Sequence, residues 1–212
     1  MKKRKKGKIN KSVVESKKAY RELVRREIAL LSEDDKKQFS KNIVERYMAL
    51  DHYQEATDLF IYCSLKDEVS TTLLIEDALK SNKNVYLPKI ISPVSKGGDM
   101  VFCKITDLSG LAPGTWGILE PDSGEMVNIN ELGHKVEMVV PGVCYDLTGY
   151  RIGQGGGYYD RYLKKVDKNL IHKSALAFDV QLVSKFPDAI AEPWDERIEL
   201  IVSERRMISV AF

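Results

Sequence analysis

Four glycines in five positions, Gly153, Gly155, Gly156 and Gly157 around Gln154, constrain this chain more than any other feature. Before them an apolar run, residues 136–140, reads as a buried strand cut off by Pro141-Gly142. After them a helix is predicted from Tyr158 to about Val166. Strand, turn, glycines and helix in that order describe a loop at the carboxyl end of a strand, where α/β sheets bind their ligands. Glycine accepts positive φ and lets N–H donors approach a ligand unobstructed. Those donors and the positive end of the following helix favour an anion. Neither common phosphate motif fits. A Walker A loop needs Lys-Ser or Lys-Thr after its glycines, and the dinucleotide fingerprint needs a glycine where Tyr158 stands. Arg151 just before the glycines and Asp160 just after suit a Mg-nucleotide, since Arg clamps phosphate oxygens and Asp holds Mg²⁺.

The rest of the chain alternates helix and strand signals. Tyr20, Leu23, Val24, Ile28 and Leu31 recur at helical spacing over residues 15–31. A second helix starts at Ser32, where Ser32 and Asp35 resemble a capping box, and carries Phe39, Ile43, Tyr47 and Leu50 on one stripe. Strands are expected at 59–63, 85–87 (stopped by Pro88), Met100–Ile105, 175–178 and 198–202, with a helix near 71–81. Residues 92–133 read as largely irregular, with turns at Gly97-Gly98, Pro113-Gly114 and Pro121. Alternating elements imply a single-domain α/β layered fold, a largely parallel central sheet flanked by helices. The expected division is a flexible basic arm over 1–14 and one catalytic α/β domain over 15–212.

Charge separates those two parts. Residues 1–11 carry seven basic side chains and no acid, which leaves 26 basic and 31 acidic residues in the remainder. The arm reads as a solvated tail, with a nucleic-acid-associated protein as the alternative. No aromatic residue interleaves it for base stacking, so nucleic acid is not expected as the partner. With no apolar run of about 20 residues and no signal core, a soluble cytoplasmic protein without a membrane partner is expected. Cys63, Cys103 and Cys144 show no paired spacing and read as reduced thiols. Alone, Cys63 is a small buried residue, Glu68 an acid at a helix start and Asp195 a loop residue. His52, His134 and His172 are scattered and support no triad or metal cluster.

The run Arg-Ile-Gly-Gln-Gly-Gly-Gly-Tyr-Tyr-Asp-Arg-Tyr-Leu from Arg151, with Pro141-Gly142 upstream, closely resembles the signature of the 5-formyltetrahydrofolate cyclo-ligases. The resemblance runs from about Lys17 to Glu204. It implies conversion of 5-formyltetrahydrofolate and ATP into 5,10-methenyltetrahydrofolate, ADP and phosphate, with Mg²⁺ as cofactor. It assigns ATP to Lys17, Lys18 and Arg21 of the first helix and to Arg151, Gly153, Gln154, Gly155, Gly156, Gly157, Tyr158 and Tyr159. Arg151 and Tyr159 are the expected catalytic residues. Cys63, Glu68 and Tyr158 would meet the folate, and Asp160 and Asp195 the metal. Trp194 departs from the family's usual polar residue there, and Glu199 stands where the family often has Asp. A loop from Trp116 to Pro121 resembles the family's Trp-containing loop. The chain is expected to act as a monomer or homodimer.

Overall fold

Strands apolar on both faces need a helical layer on each side, and the computed structural model, which describes residues 16–190 and 195–210, has that arrangement. Its helices are α1 (Lys17–Ala29), α2 (Glu33–Met48), α3 (Asp51–Glu55), α4 (Thr72–Lys80) and α5 (Tyr158–Leu163). In chain order the strands are β1 (Asp58–Phe60), β2 (Asn84–Ile90), β3 (Met100–Ile105), β4 (Leu111–Pro113), β5 (Leu119–Pro121), β6 (Met126–Val127), β7 (Val136–Val139), β8 (Cys144–Asp146), β9 (Arg151–Ile152), β10 (Ile171–Leu176), β11 (Leu182–Val183), β12 (Leu200–Val202) and β13 (Met207–Ser209).

The main sheet has the order β13-β12-β10-β7-β1-β2-β3-β6. Its five inner strands from β12 to β2 are parallel, and antiparallel strands extend both edges. The chain builds outward from β1 to β2 on one side, then from β7 to β10 and β12 on the other. Strand order therefore reverses between β1 and β7, and a crevice opens at their carboxyl ends.

Alternation along β1 divides the core. Leu59 and Ile61 face α1, α2 and α4, packing with Val24, Ile43 and Leu74. Phe60 faces the opposite layer, stacked on Tyr86 at 4.4 Å and edge-on to Phe102 at 5.1 Å. The α2 cap is the one expected: Ser32 Oγ accepts from the Asp35 N–H at 3.0 Å, and Asp35 Oδ2 accepts from the Ser32 N–H at 3.3 Å. Two such bonds fill donors that a helix start otherwise leaves open.

Four expectations are corrected. Pro88 does not stop β2, which continues to Ile90 and pairs Pro88 with Phe102. On the side of β2 away from β3, the Tyr86 carbonyl accepts the Ile61 N–H and the Ile90 N–H goes to Glu120. Pro88 shares that side beyond the end of β1, so its missing N–H costs no ladder bond. The first strand ends at Phe60, and Ile61 to Cys63 turn into the crevice. β10 starts at Ile171, well before the expected 175, because the polar His172, Lys173 and Ser174 are paired inside the fold. The helix after the glycines closes at Leu163. The middle segment also contains short strands, β4 to β6, around the expected turns. The basic arm lies outside the described residues. Among those described, no helix is long and apolar enough to cross a membrane.

Candidate active site

The crevice between β1 and β7 is a partly open, mainly apolar cleft into which several chain segments converge. Cys63 and Glu68 reach it from the segment after β1, Pro141 and Gly142 from the turn after β7, and Arg151, Tyr158, Tyr159 and Asp160 from the glycine segment. The β7 turn is anchored from below, because the Gln181 side-chain amide donates to the Gly142 and Val143 carbonyls at 3.1 Å each.

Arg151 is positioned by a small second sheet in which β9 pairs with β8, Tyr145 opposite Arg151. The β8–β9 turn folds on buried Asp146, whose Oδ1 accepts from the Thr148 N–H and hydroxyl and from the Tyr150 N–H. Its Oδ2 accepts from the Phe186 N–H at 2.9 Å. So held, the Arg151 side chain is only 3% exposed, and Nη1 meets Asp160 Oδ1 at 2.7 Å. Two buried polar atoms nearby have no partner among the described residues: Arg151 Nε and the Tyr159 hydroxyl. Leaving buried donors open is costly unless a ligand fills them. Burial and then the Glu68 charge hold the Tyr159 phenol well above its ordinary value, so it stays a proton donor.

The glycine loop carries more charge around it. Arg21 Nε donates to the Gly153 carbonyl at 2.7 Å, and a Cβ on Gly155 would lie 3.6 Å from the Arg21 guanidinium. Gly155 and Gly157 have φ of +106° and +66°, conformations that explain glycine at both positions. Arg25 Nη2 donates to Gln154 Oε1 at 2.8 Å, and burial followed by Arg25 lowers the Arg21 pKa. Two guanidiniums on one loop suit an anionic ligand. Arg161 ties the loop to the β2–β3 connection by donating to the Gly156 and Gly98 carbonyls at 2.7 and 2.8 Å.

The other expected residues divide clearly. Lys17 Nζ sits 3.3 Å from Asp195 Oδ2, which brings the start of α1 to the segment before β12. Lys18 points outward and faces Glu22 at 4.0 Å. Asp160 lines the cleft, whereas Asp195 is not among its lining residues. Glu68 Oε2 accepts from the Leu65 N–H at 2.9 Å, and Oε1 lies 3.4 Å from the Gln154 amide. Burial pushes the Cys63 thiol up to about 11, which leaves it an apolar wall and no nucleophile. Glu199 binds the Lys173 N–H away from the cleft, and Trp194 lies outside the described residues.

The model of the 5-formyltetrahydrofolate cyclo-ligase family matches residues 13–204. The chain belongs to that family. It is 29% identical over 181 residues to the 5-formyltetrahydrofolate cyclo-ligase of Mus musculus, covering 83% of this chain and 89% of the relative. With the Haemophilus influenzae enzyme of the same name it shares 30% over 158 residues, 74% of this chain and 81% of that one. The NMR structure of Aquifex aeolicus 5,10-methenyltetrahydrofolate synthetase superposes with a TM-score of 0.78 at 30% identity, covering 92% and 93% of the two chains. A Mycoplasma pneumoniae synthetase at 22% identity and a TM-score of 0.68 shares the fold.

Within this cyclo-ligase framework the sequence reading passed over Asp146, Arg25 and Arg161. Asp146 had a legible signal, an Asp two residues before Thr148 and three before Gly149, the pattern of a side-chain-closed turn. Arg25 reaches the Gln154 amide 129 positions away and Arg161 the Gly98 carbonyl 63 positions away, and no spacing announces either contact.

Proposed function

We propose that this chain converts 5-formyltetrahydrofolate and ATP into 5,10-methenyltetrahydrofolate, ADP and phosphate in the cleft between β1 and β7. The observation that carries this reading is the buried Arg151 guanidinium with an open N–H beside Asp160, facing a glycine loop at the strand-order reversal. The formyl oxygen is amide-like and leaves poorly. Transfer of the γ-phosphoryl group to it makes the formyl carbon more electrophilic, N10 closes the ring, and phosphate departs with that oxygen. Such a transfer asks the protein for positioning and charge neutralisation, with no covalent step of its own.

Each role has a residue. Arg151 and Arg21 neutralise phosphate oxygens while the N–H groups of the glycine loop cradle them, and Lys17 adds charge from α1. The Tyr159 hydroxyl, open and protonated, donates to the folate's formyl region and holds it towards the nucleotide. Glu68 accepts N–H groups from the pterin edge, with Cys63 as the apolar wall. Asp160 and Asp195 offer carboxylate oxygens, the donors a hard divalent cation prefers. Each now faces a basic side chain, Arg151 or Lys17. That fits an exchange in which both bases turn to phosphate as the carboxylates take Mg²⁺, whose charge would further neutralise the triphosphate. The three cysteines are free thiols, in keeping with a cytoplasmic setting.

The test is spectrophotometric. Purified protein with 5-formyltetrahydrofolate and Mg-ATP should build up the near-ultraviolet absorbance of the methenyl product, with one ADP formed per ring closed. No absorbance with ATP, or equal absorbance without it, would overturn the reading.

A further inference from the structure

The opposite end of the sheet holds a cluster that the scattered histidines gave no sign of. His52 of α3, Glu137 of β7 and His172 of β10 each place one donor atom so that all three lie within 4.8 Å of one another. The β7–β10 register sets His172 directly against Glu137, with His172 Nδ1 2.6 Å from Glu137 Oε2. The other carboxylate oxygen accepts from the Tyr47 and Ser174 hydroxyls at 2.7 and 2.5 Å. Glu137 is 2% exposed, and such a carboxylate needs His172 and the hydroxyls as partners. It does not need His52. That ring is exposed, yet it lies flat on His172 at 3.9 Å and 17°.

We propose that His52, Glu137 and His172 form a binding site for a divalent transition metal of the zinc class, with one nitrogen from each imidazole and one carboxylate oxygen as ligands. Imidazole and carboxylate donors are those zinc takes, and three protein ligands leave a fourth position for water. Donors about 2.0–2.2 Å from a tetrahedral ion sit roughly 3.3–3.6 Å apart. Metal binding therefore has to open the 2.6 Å His172–Glu137 contact, while the exposed His52 ring turns out of its stack to bring a nitrogen to the ion. Tyr47 and Ser174 fix the non-ligating oxygen as ligating carboxylates are commonly fixed. The site is remote from the chemistry. Glu137 precedes Pro141, at the cleft, by four residues, roughly 13 Å of extended strand. The metal would clip α3 onto β7 and β10 and take no part in phosphoryl transfer.

The experiment uses the full chain, untagged and stripped with a chelator, dialysed against micromolar Zn²⁺. Bound metal is counted by mass spectrometry and thermal unfolding is followed in parallel. One zinc per chain is expected, with a rise in Tm of several degrees. His52→Ala should weaken binding at least tenfold while leaving the metal-free Tm and cyclo-ligase turnover as in wild type. His134→Ala, the remaining histidine, should bind as wild type. His172→Gln should also lose zinc, but the exposed His52 carries the decision because its removal leaves the buried pair intact. Wild type without bound zinc would overturn the site. So would His52→Ala binding with wild-type affinity, which would place the metal away from this trio.

Discussion

The two ends of the parallel strands treat buried polar groups in opposite ways. At the amino-terminal end Asp58, 3% exposed, accepts from Thr57, Asn84 and Tyr86 and pairs with His134 at 2.9 Å. Burial alone would raise its pKa, but those hydrogen bonds hold it below the ordinary value. At the carboxyl end Arg151 Nε and the Tyr159 hydroxyl are as deeply buried and have no partner among the described residues. One sheet thus carries a finished network at one end and an unfinished one at the other. Satisfied burial contributes to the fold, whereas open burial marks where a ligand completes the structure.

Breaking each end should give opposite readouts. Arg151→Ala is expected to lower kcat about 10³-fold, the scale of losing a preorganised donor to transferring charge. Its denaturation midpoint should stay near wild type, because the Asp160 left behind is 40% exposed and hydrates. Wild-type-like cyclisation in that variant would remove Arg151 from the chemistry. Asp58→Ala should do the reverse and cost about 3 kcal/mol in urea unfolding, since it strands the buried Tyr86 hydroxyl and the half-buried Asn84 amide. Turnover of the folded protein should be unchanged, and a fall in kcat matching that of Arg151→Ala would collapse the contrast between the ends.

This contrast also explains what the sequence made legible. The Met100–Ile105 strand, the Ser32 cap and the glycine loop were readable because each is written in neighbouring residues. The start of β10 was not, since His172 and Lys173 look like loop residues until Glu137 and Glu196 arrive from elsewhere to pair them. The proline inside β2 was misread for a similar reason: its tolerance depends on where another strand ends. In the site, Arg151 and Asp160 stood out as flanks of one motif, while Lys17 and Asp195 meet across 178 positions. The folate side rested on resemblance alone, because a Cys and a Glu after a strand have no spacing that denotes a pterin.

A subtler substitution sharpens the contrast. Tyr159→Phe removes only the open hydroxyl. If that oxygen serves substrate and not the fold, kcat should fall about tenfold while stability stays level or rises by about 1 kcal/mol, because a buried unpaired donor is gone. Calorimetry of the ligand-free protein decides this. A loss of stability would mean that the hydroxyl already has a structural partner, and the unfinished end would shrink to Arg151.

The smallest effect concerns Glu68, which stands between the two regimes. Burial raises its pKa even though the Leu65 N–H and the Gln154 amide pull it down. An acid with a higher pKa folded than unfolded holds its proton more tightly in the folded state, so protonation favours folding. Above the folded pKa the ionised side chain carries its full burial cost. As the pH falls through that value towards the ordinary 4.5, wild type should gain stability relative to Glu68→Gln and then level off. The same proton removes an acceptor from the proposed pterin contact. KM for the folate should therefore rise over the window in which stability improves, with KM for ATP unchanged. Urea unfolding of both proteins from pH 7 to pH 4, with folate KM measured alongside, tests the pair of trends. Stability that falls with acid, relative to Glu68→Gln, would place Glu68 with Asp58 among the satisfied carboxylates and take it out of the binding end.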